Sequence, residues 1–143
     1  MTEYVLIGID PGTDTGIGYI TPQERGVKSL KIHNAMTFVS YLAANFEKVF
    51  IRVEDARKRK KFGFDSMHKQ QGAGSVKRDC KIWEDFLIDL KKGRPGVIEF
   101  DFIHPIKGGT KIPSGAFRRI TGITGRTNPH QRDAYMLIHE FKP

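Results

Sequence analysis

Residues 4–10 alternate with a period of two. Val5, Ile7 and Ile9 fall on one side, and Leu6, Gly8 and Asp10 on the other. The pattern predicts a buried strand, roughly Tyr4–Asp10, ending in a carboxylate at the sheet surface. A turn rich in glycine and proline (Pro11, Gly12) leads into a second apolar run, Thr15–Ile20. Beyond the turn Thr21–Gly26, Val27–Ile32 predicts a third strand, and the short links predict an antiparallel meander. Met36, Val39, Ala43 and Phe46 then recur at helical spacing and predict a helix over Met36–Lys48. The apolar run Val49–Val53 predicts a fourth strand that ends in Glu54-Asp55. Coming after a helix, it can return parallel to the first strand through a right-handed crossover.

Ala56–Gly74 is polar, basic and irregular, too long for an ordinary connection, and reads as a functional segment. A helix follows over about Ser75–Lys92, with Val76, Cys80, Trp83, Leu87 and Leu90 as its apolar stripe, widened by Ile82 and Phe86. Ser75 is a candidate N-cap and Gly93 a candidate C-terminal stop. Val97–Ile103 predicts a fifth strand. His104–Gly125 is a basic loop region with one short helix near Ser114–Ile120. Asn128-Pro129 then opens a last helix, asparagine at the cap and proline in the first turn, running to about Phe141.

The order β-β-β-α-β-α-β-α predicts one α/β domain over residues 1–143: a five-stranded mixed sheet, a three-strand meander plus two parallel crossover strands, flanked by helices. The first and fourth strands would be neighbours. Asp10 and Glu54 would then lie side by side at their carboxyl ends, where open α/β sheets place their sites.

Composition narrows the function classes. No apolar run approaches the roughly 18 residues of a membrane span, and no basic stretch precedes a long apolar one at the N-terminus, so a cytoplasmic protein is expected. The single Cys80 excludes an internal disulfide and a cysteine-built zinc cluster. Net charge is +8, from 24 Lys and Arg against 16 Asp and Glu, and it is unevenly spread. Residues 102–132 contain no acid but hold Lys107, Lys111, Arg118, Arg119, Arg126 and Arg132; Asp65 is the one acid between Ala56 and Arg78. Such stretches fit a polyanionic partner, nucleic acid first.

The last helix supplies the remaining candidate chemistry. His130 and Asp133 are three residues apart and share a face. If Ala134, Ile138 and Phe141 pack on the sheet, His130 and Asp133 reach Asp10 and Glu54. Three carboxylates and an imidazole gathered at one spot need a cation among them. Hard oxygen ligands point to Mg²⁺, and the imidazole tilts the choice toward Mn²⁺. A pair of ions about 3.5–4 Å apart suits in-line displacement at a phosphodiester. Asp55 is a rival to Glu54 if the strand parity is reversed, and Asp101 is a weaker rival.

The ordered set resembles the RuvC-type Holliday junction resolvases of the ribonuclease H-like superfamily, and is most similar to their short phage-borne relatives. Ile7-Gly8-Ile9-Asp10-Pro11-Gly12 with Gly16 matches the family's opening motif, Glu54 its second acid, and His130-Gln131-Arg132-Asp133-Ala134 its closing one. Ile120-Thr121-Gly122-Ile123-Thr124-Gly125 resembles a further Thr-Gly segment, with one extra residue between the glycines. The chain is shorter than the bacterial resolvases before the last helix, and more basic after Glu54. The resemblance implies a ribonuclease H-like fold and a homodimeric crossover junction endodeoxyribonuclease that cuts four-way DNA with Mg²⁺ or Mn²⁺. Asp10, Glu54, His130 and Asp133 would be the catalytic metal ligands. The dimer contact would involve Ala73, Val76, Cys80 and Trp83. The implied setting is the cytoplasm of a bacterium or a phage-infected host.

Beside such a site, Arg57, Lys58, Arg59, Lys60 and Lys61 are expected to grip DNA backbone. Phe62 and Phe64 either anchor their loop or stack on unpaired bases. Lys107, Lys111, Arg118 and Arg119 are further phosphate candidates, and the resemblance places Lys107 and Lys111 nearest the chemistry. Rival readings are a nuclease for flaps or RNA–DNA hybrids, a non-catalytic junction-binding module, and an actin-like ATP-binding protein. The last would require two such domains to clasp its nucleotide, and the expectation here is no nucleotide cofactor.

Overall fold

The computed structural model describes residues 3–58, 67–105 and 112–143, with side chains in the second span described from Gly74 onward. The strands are β1 (Tyr4–Asp10), β2 (Asp14–Ile20), β3 (Arg25–Lys31), β4 (Lys48–Glu54) and β5 (Ile98–Ile103). The helices are α1 (Ile32–Asn45), α2 (Met67–Gly93), α3 (Ser114–Thr121) and α4 (Pro129–Met136), with one short 3-10 turn at Ala56–Lys58.

The strands form one sheet in the order β3-β2-β1-β4-β5. β1 pairs antiparallel with β2 and parallel with β4, β2 pairs antiparallel with β3, and β4 pairs parallel with β5. The meander and the two crossover strands are therefore as expected, and the fold is α/β with a mixed five-stranded sheet flanked by helices.

The two faces of the sheet are closed differently. Val5, Ile7, Ile9, Ile17, Val49, Ile51, Val53 and Ile98 form the main core with Ala35, Val39, Leu42 and Ala43 of α1 and Trp83 and Leu87 of α2. The opposite face carries a smaller cluster in which Leu6 meets Leu137 and Ile138, just past α4. The period-two reading of β1 holds, since Val5, Ile7 and Ile9 enter one cluster and Leu6 the other. α3 leans on α4 through Phe117, whose ring meets Tyr135 edge-on at 5.7 Å.

Helix boundaries depart from the sequence pattern. α2 begins at Met67, so Ser75 lies inside it and caps nothing, while Gly93 ends it as expected. The stretch between β4 and α2 is correspondingly shorter than Ala56–Gly74. Ile32 opens α1 instead of closing β3, and α1 stops at Asn45. α4 ends at Met136, not Phe141. From Leu137 the chain tightens into i→i−3 bonds, Leu137 N–H to Ala134 O, Ile138 N–H to Tyr135 O and Phe141 N–H to Ile138 O.

Part of the apolar stripe of α2 is spent inside the chain. Cys80 and Trp83 are both 0% exposed, and Trp83 belongs to the main core. Both are among the residues expected at a dimer contact, and in this fold each is enclosed within its own chain. Val76 is half-buried, and the Ala73 side chain falls outside the described residues.

Candidate metal centre

β1 and β4 are neighbours in parallel register, with Ile9 opposite Val53. One step further on, Asp10 and Glu54 stand together at the carboxyl ends of the two strands. The pleat sends Leu6, Gly8 and Asp10 to the α4 side. Position 54 shares the parity of Arg52, whose Nη1 donates to the Leu137 carbonyl just beyond α4, at 2.9 Å. The strands alone thus aim both carboxylates at the helix.

Glycines set how near that helix comes. A Cβ on Gly8 would strike the carbonyl oxygen of Ala134, one on Gly16 the carbonyl oxygen of His130, and one on Gly18 the Cα of Tyr135. Gly8 on β1 and Gly16 and Gly18 on β2 are thus a bed without side chains, against which the main chain of α4 lies directly. The space beside Asp10 at Gly8 is filled by this helix. At Gly12 a Cβ would meet only the Asp14 carbonyl, 3.1 Å away.

The start of α4 is fixed by a reciprocal cap. Asn128 Oδ1 accepts from the Gln131 N–H at 2.8 Å, and Gln131 Oε1 accepts from the Asn128 N–H at 2.8 Å, with Pro129 in the first turn. Arg132 ties the flanking loops to the helix, donating to Ile112 O at 2.9 Å and to Thr127 O at 2.7 Å.

The outcome is a convergence of three carboxylates. One oxygen each of Asp10, Glu54 and Asp133 lie within 4.8 Å of one another, and Glu54 is buried. Three anionic groups this close, from β1, β4 and α4, form a hard-oxygen cluster that could hold a metal ion. His130 stands beside the cluster rather than in it. Its Nδ1 lies 3.0 Å from Asp10 Oδ2, and its side chain is 65% exposed. The hydrogen bond to Asp10 raises the imidazole pKa, burial opposes the rise, and the Asp10, Asp133 and Glu54 charges add to it.

Asp55, the rival acid, is not part of the cluster. It is 2% exposed and paired with Arg57. Burial pushes its carboxyl up, but the hydrogen bonds and charge of Arg57 outweigh this and leave it lowered. Asp101 is exposed on β5, the edge strand. Asp14 pairs with Lys31 at the surface, 2.7 Å apart.

The basic candidates divide. Arg57, expected on the DNA backbone, donates to Asp55 and to Glu84 of α2. Lys58 is exposed but donates to Phe102 O at 2.6 Å. Arg118 and Arg119 are exposed on α3 and open to a ligand. Arg59, Lys60, Lys61, Phe62, Phe64, Lys107 and Lys111 lie outside the described residues.

Arg57 and Arg132 as internal ties, and Gly16 and Gly18 as the bed of α4, are roles the sequence reading missed. The alternation Gly16-Ile17-Gly18 was the available signal, because it strips one face of a strand of side chains. No described helix is long and apolar enough to cross a membrane. Compared with known protein families and with curated proteins, the chain matches none.

Proposed function

We propose that the chain is a metal-dependent endonuclease acting on four-way or related branched DNA, a RuvC-like enzyme of the ribonuclease H-like superfamily working as a homodimer. The observation that carries this reading is the meeting of Asp10, Glu54 and Asp133 within 4.8 Å, in a chain of net charge +8. The order of the three acids along the chain, at the ends of two adjacent parallel strands and on the last helix, agrees with the motif resemblance.

In this reading Asp10, Glu54 and Asp133 hold Mg²⁺ or Mn²⁺, two ions per site. The ions supply Lewis acidity at the attacking and leaving oxygens of the phosphodiester. Glu54, buried at the strand end, gives the set a fixed wall. His130 orients the Asp10 carboxylate through Nδ1 and, being exposed, faces the side from which DNA approaches. Arg118 and Arg119 contact backbone phosphates and position the strand. Hydrolysis leaves a 5′ phosphate and a 3′ hydroxyl. A junction with two-fold character calls for two copies and two symmetric cuts. Their pairing would use the outward side of α2, since Cys80 and Trp83 are consumed by the core. The cytoplasm of a bacterium or a phage-infected cell is the matching setting.

Competition among labelled four-way, Y-shaped, RNA–DNA hybrid and linear substrates, in Mg²⁺ or Mn²⁺, tests the substrate class. Preferential nicking of the four-way or Y-shaped DNA is expected. Preference for the hybrid would make the protein a hybrid nuclease of similar chemistry. Tight junction binding with no cleavage under either metal would make it a binding module.

A further inference from the structure

The end of β4 places two adjacent acids on opposite sides of the sheet. Glu54 joins the carboxylate cluster on the α4 side, while Asp55 is buried on the α2 side. Asp55 accepts from Arg57 Nε at 2.8 Å, from Nη2 at 2.9 Å and from the Arg57 backbone N–H at 3.0 Å. The same guanidinium reaches Glu84 on α2, with Nη1 to Oε1 and Nη2 to Oε2 both 3.2 Å. Its Cζ lies 5.3 Å from the centre of the Phe102 ring on β5.

The surrounding backbone is tied at the same place. Asp55 N–H donates to Ile103 O at 2.8 Å, and Lys58 N–H to Asp55 O at 3.1 Å. The Cys80 thiol lies 3.9 Å from the Glu54 carbonyl oxygen. The residues just after Glu54 are therefore held to β5 on one side and to α2 on the other, and one guanidinium is the shared node. A planar fork meets two carboxylates with paired donors in fixed directions, a bidentate geometry that an ammonium group lacks.

We infer that Arg57 is a positioning residue for the metal centre: by bridging Asp55 to Glu84 it fixes the end of β4, and with it the place of the Glu54 carboxylate beside Asp10 and Asp133. This rests on reading the three carboxylates as a metal site. Arg57 touches none of the reacting atoms. It acts as outer partners of metal ligands do, by restricting where a ligand can stand.

The test is calorimetric titration of Mn²⁺ into the wild-type protein, Arg57→Lys and Glu84→Gln without DNA, alongside junction affinity across a salt series in EDTA. Arg57→Lys keeps the charge and loses the bridge. Glu84→Gln keeps the Asp55–Arg57 pair, so it remains informative if Arg57→Lys does not fold. Each variant is expected to bind Mn²⁺ about tenfold more weakly, with cleavage recovering toward wild type at saturating Mn²⁺. The junction affinity and salt slope of Glu84→Gln should not fall, because a negative charge has been removed. Wild-type Mn²⁺ affinity in both variants would overturn the inference. So would a fall in junction affinity for Arg57→Lys with Mn²⁺ affinity intact, which would make Arg57 a bidentate phosphate contact. Absence of Mn²⁺ binding by the wild-type protein would instead remove the metal reading itself, and the inference with it.

Discussion

Gly8 on β1 lies directly against the main chain of Ala134 on α4: a Cβ on Gly8 would overlap the Ala134 carbonyl oxygen. The obstacle is backbone in a helix capped at its start by Asn128 and held beyond its end by Arg52, so rotamer changes cannot relieve it. Gly8→Ala is therefore expected to destabilise the fold by about 2 kcal/mol or more, measured by urea denaturation. It should also displace Asp133 from Asp10 and weaken any Mn²⁺-induced rise in melting temperature. A Gly8→Ala protein of wild-type stability would show that α4 does not lie on this bed.

The three acids repel one another when no cation is present. Asp133→Asn removes one of those charges while nearly preserving shape. The melting temperature of the metal-free variant gives the baseline for the metal effect and the contribution of the Asp133 charge to the fold. The rise in melting temperature produced by Mn²⁺ should largely disappear, because ligand binding stabilises only through the folded site. Differential scanning fluorimetry with and without Mn²⁺ reads both effects.

Asn128→Ala removes the side-chain half of the cap on α4, the acceptance from Gln131 N–H, and leaves the Asn128 backbone N–H to donate to Gln131 Oε1. A loss of about 1 kcal/mol is expected from the cap alone, seen as a lower midpoint in urea with an unchanged slope. Since His130 lies within the first turn of this helix, cleavage should fall more than stability does. Loss of stability with full activity would separate the cap from the site.

The Arg57 cluster predicts a pH dependence of defined sign. The hydrogen bond from Arg57 holds the Glu84 carboxyl below its ordinary value against a smaller opposing effect of burial, and Asp55 is lowered as well. A lowered carboxylate adds stability that is fully present above the unfolded-state value, about 4.3 for glutamate. That stability is lost as pH falls through the folded-state value. Wild-type melting temperature should therefore drop steeply in acid. Glu84→Gln should start lower at neutral pH and lose less on acidification, so that the two curves converge. Parallel curves from pH 7 downward would contradict the pairing.

Much of the fold was legible because period-two patterning decides which side chains of β1 enter the core, and the crossover rule places β4 beside it. The pairing of Asp10 with Glu54 follows from those two facts, and the reach of Asp133 from the cap at Asn128. Less legible were features that depend on distant partners. The tie from Arg57 to Glu84 is hidden in sequence because nothing near Arg57 reveals a residue 27 positions away as a partner for its guanidinium. The packing role of Gly8 is hidden in sequence because the helix that lies on it comes from the far end of the chain. Gly72 and Gly74 made the start of α2 read as loop, although the helix runs through them from Met67. Cys80 and Trp83 show the limit of an amphipathic stripe: it marks a buried face without saying whether a sheet or a second copy buries it.

The most direct measurement is cleavage of an end-labelled synthetic four-way junction in Mg²⁺ or Mn²⁺ by the wild-type and Asp10→Asn proteins. The expected result is metal-dependent nicking near the branch point by the wild type, leaving a 5′ phosphate and a 3′ hydroxyl, with cleavage by Asp10→Asn reduced by about 10²-fold or more, the rate equivalent of roughly 3 kcal/mol. Undiminished cutting by Asp10→Asn, or cutting by the wild type that persists in EDTA, would contradict the account.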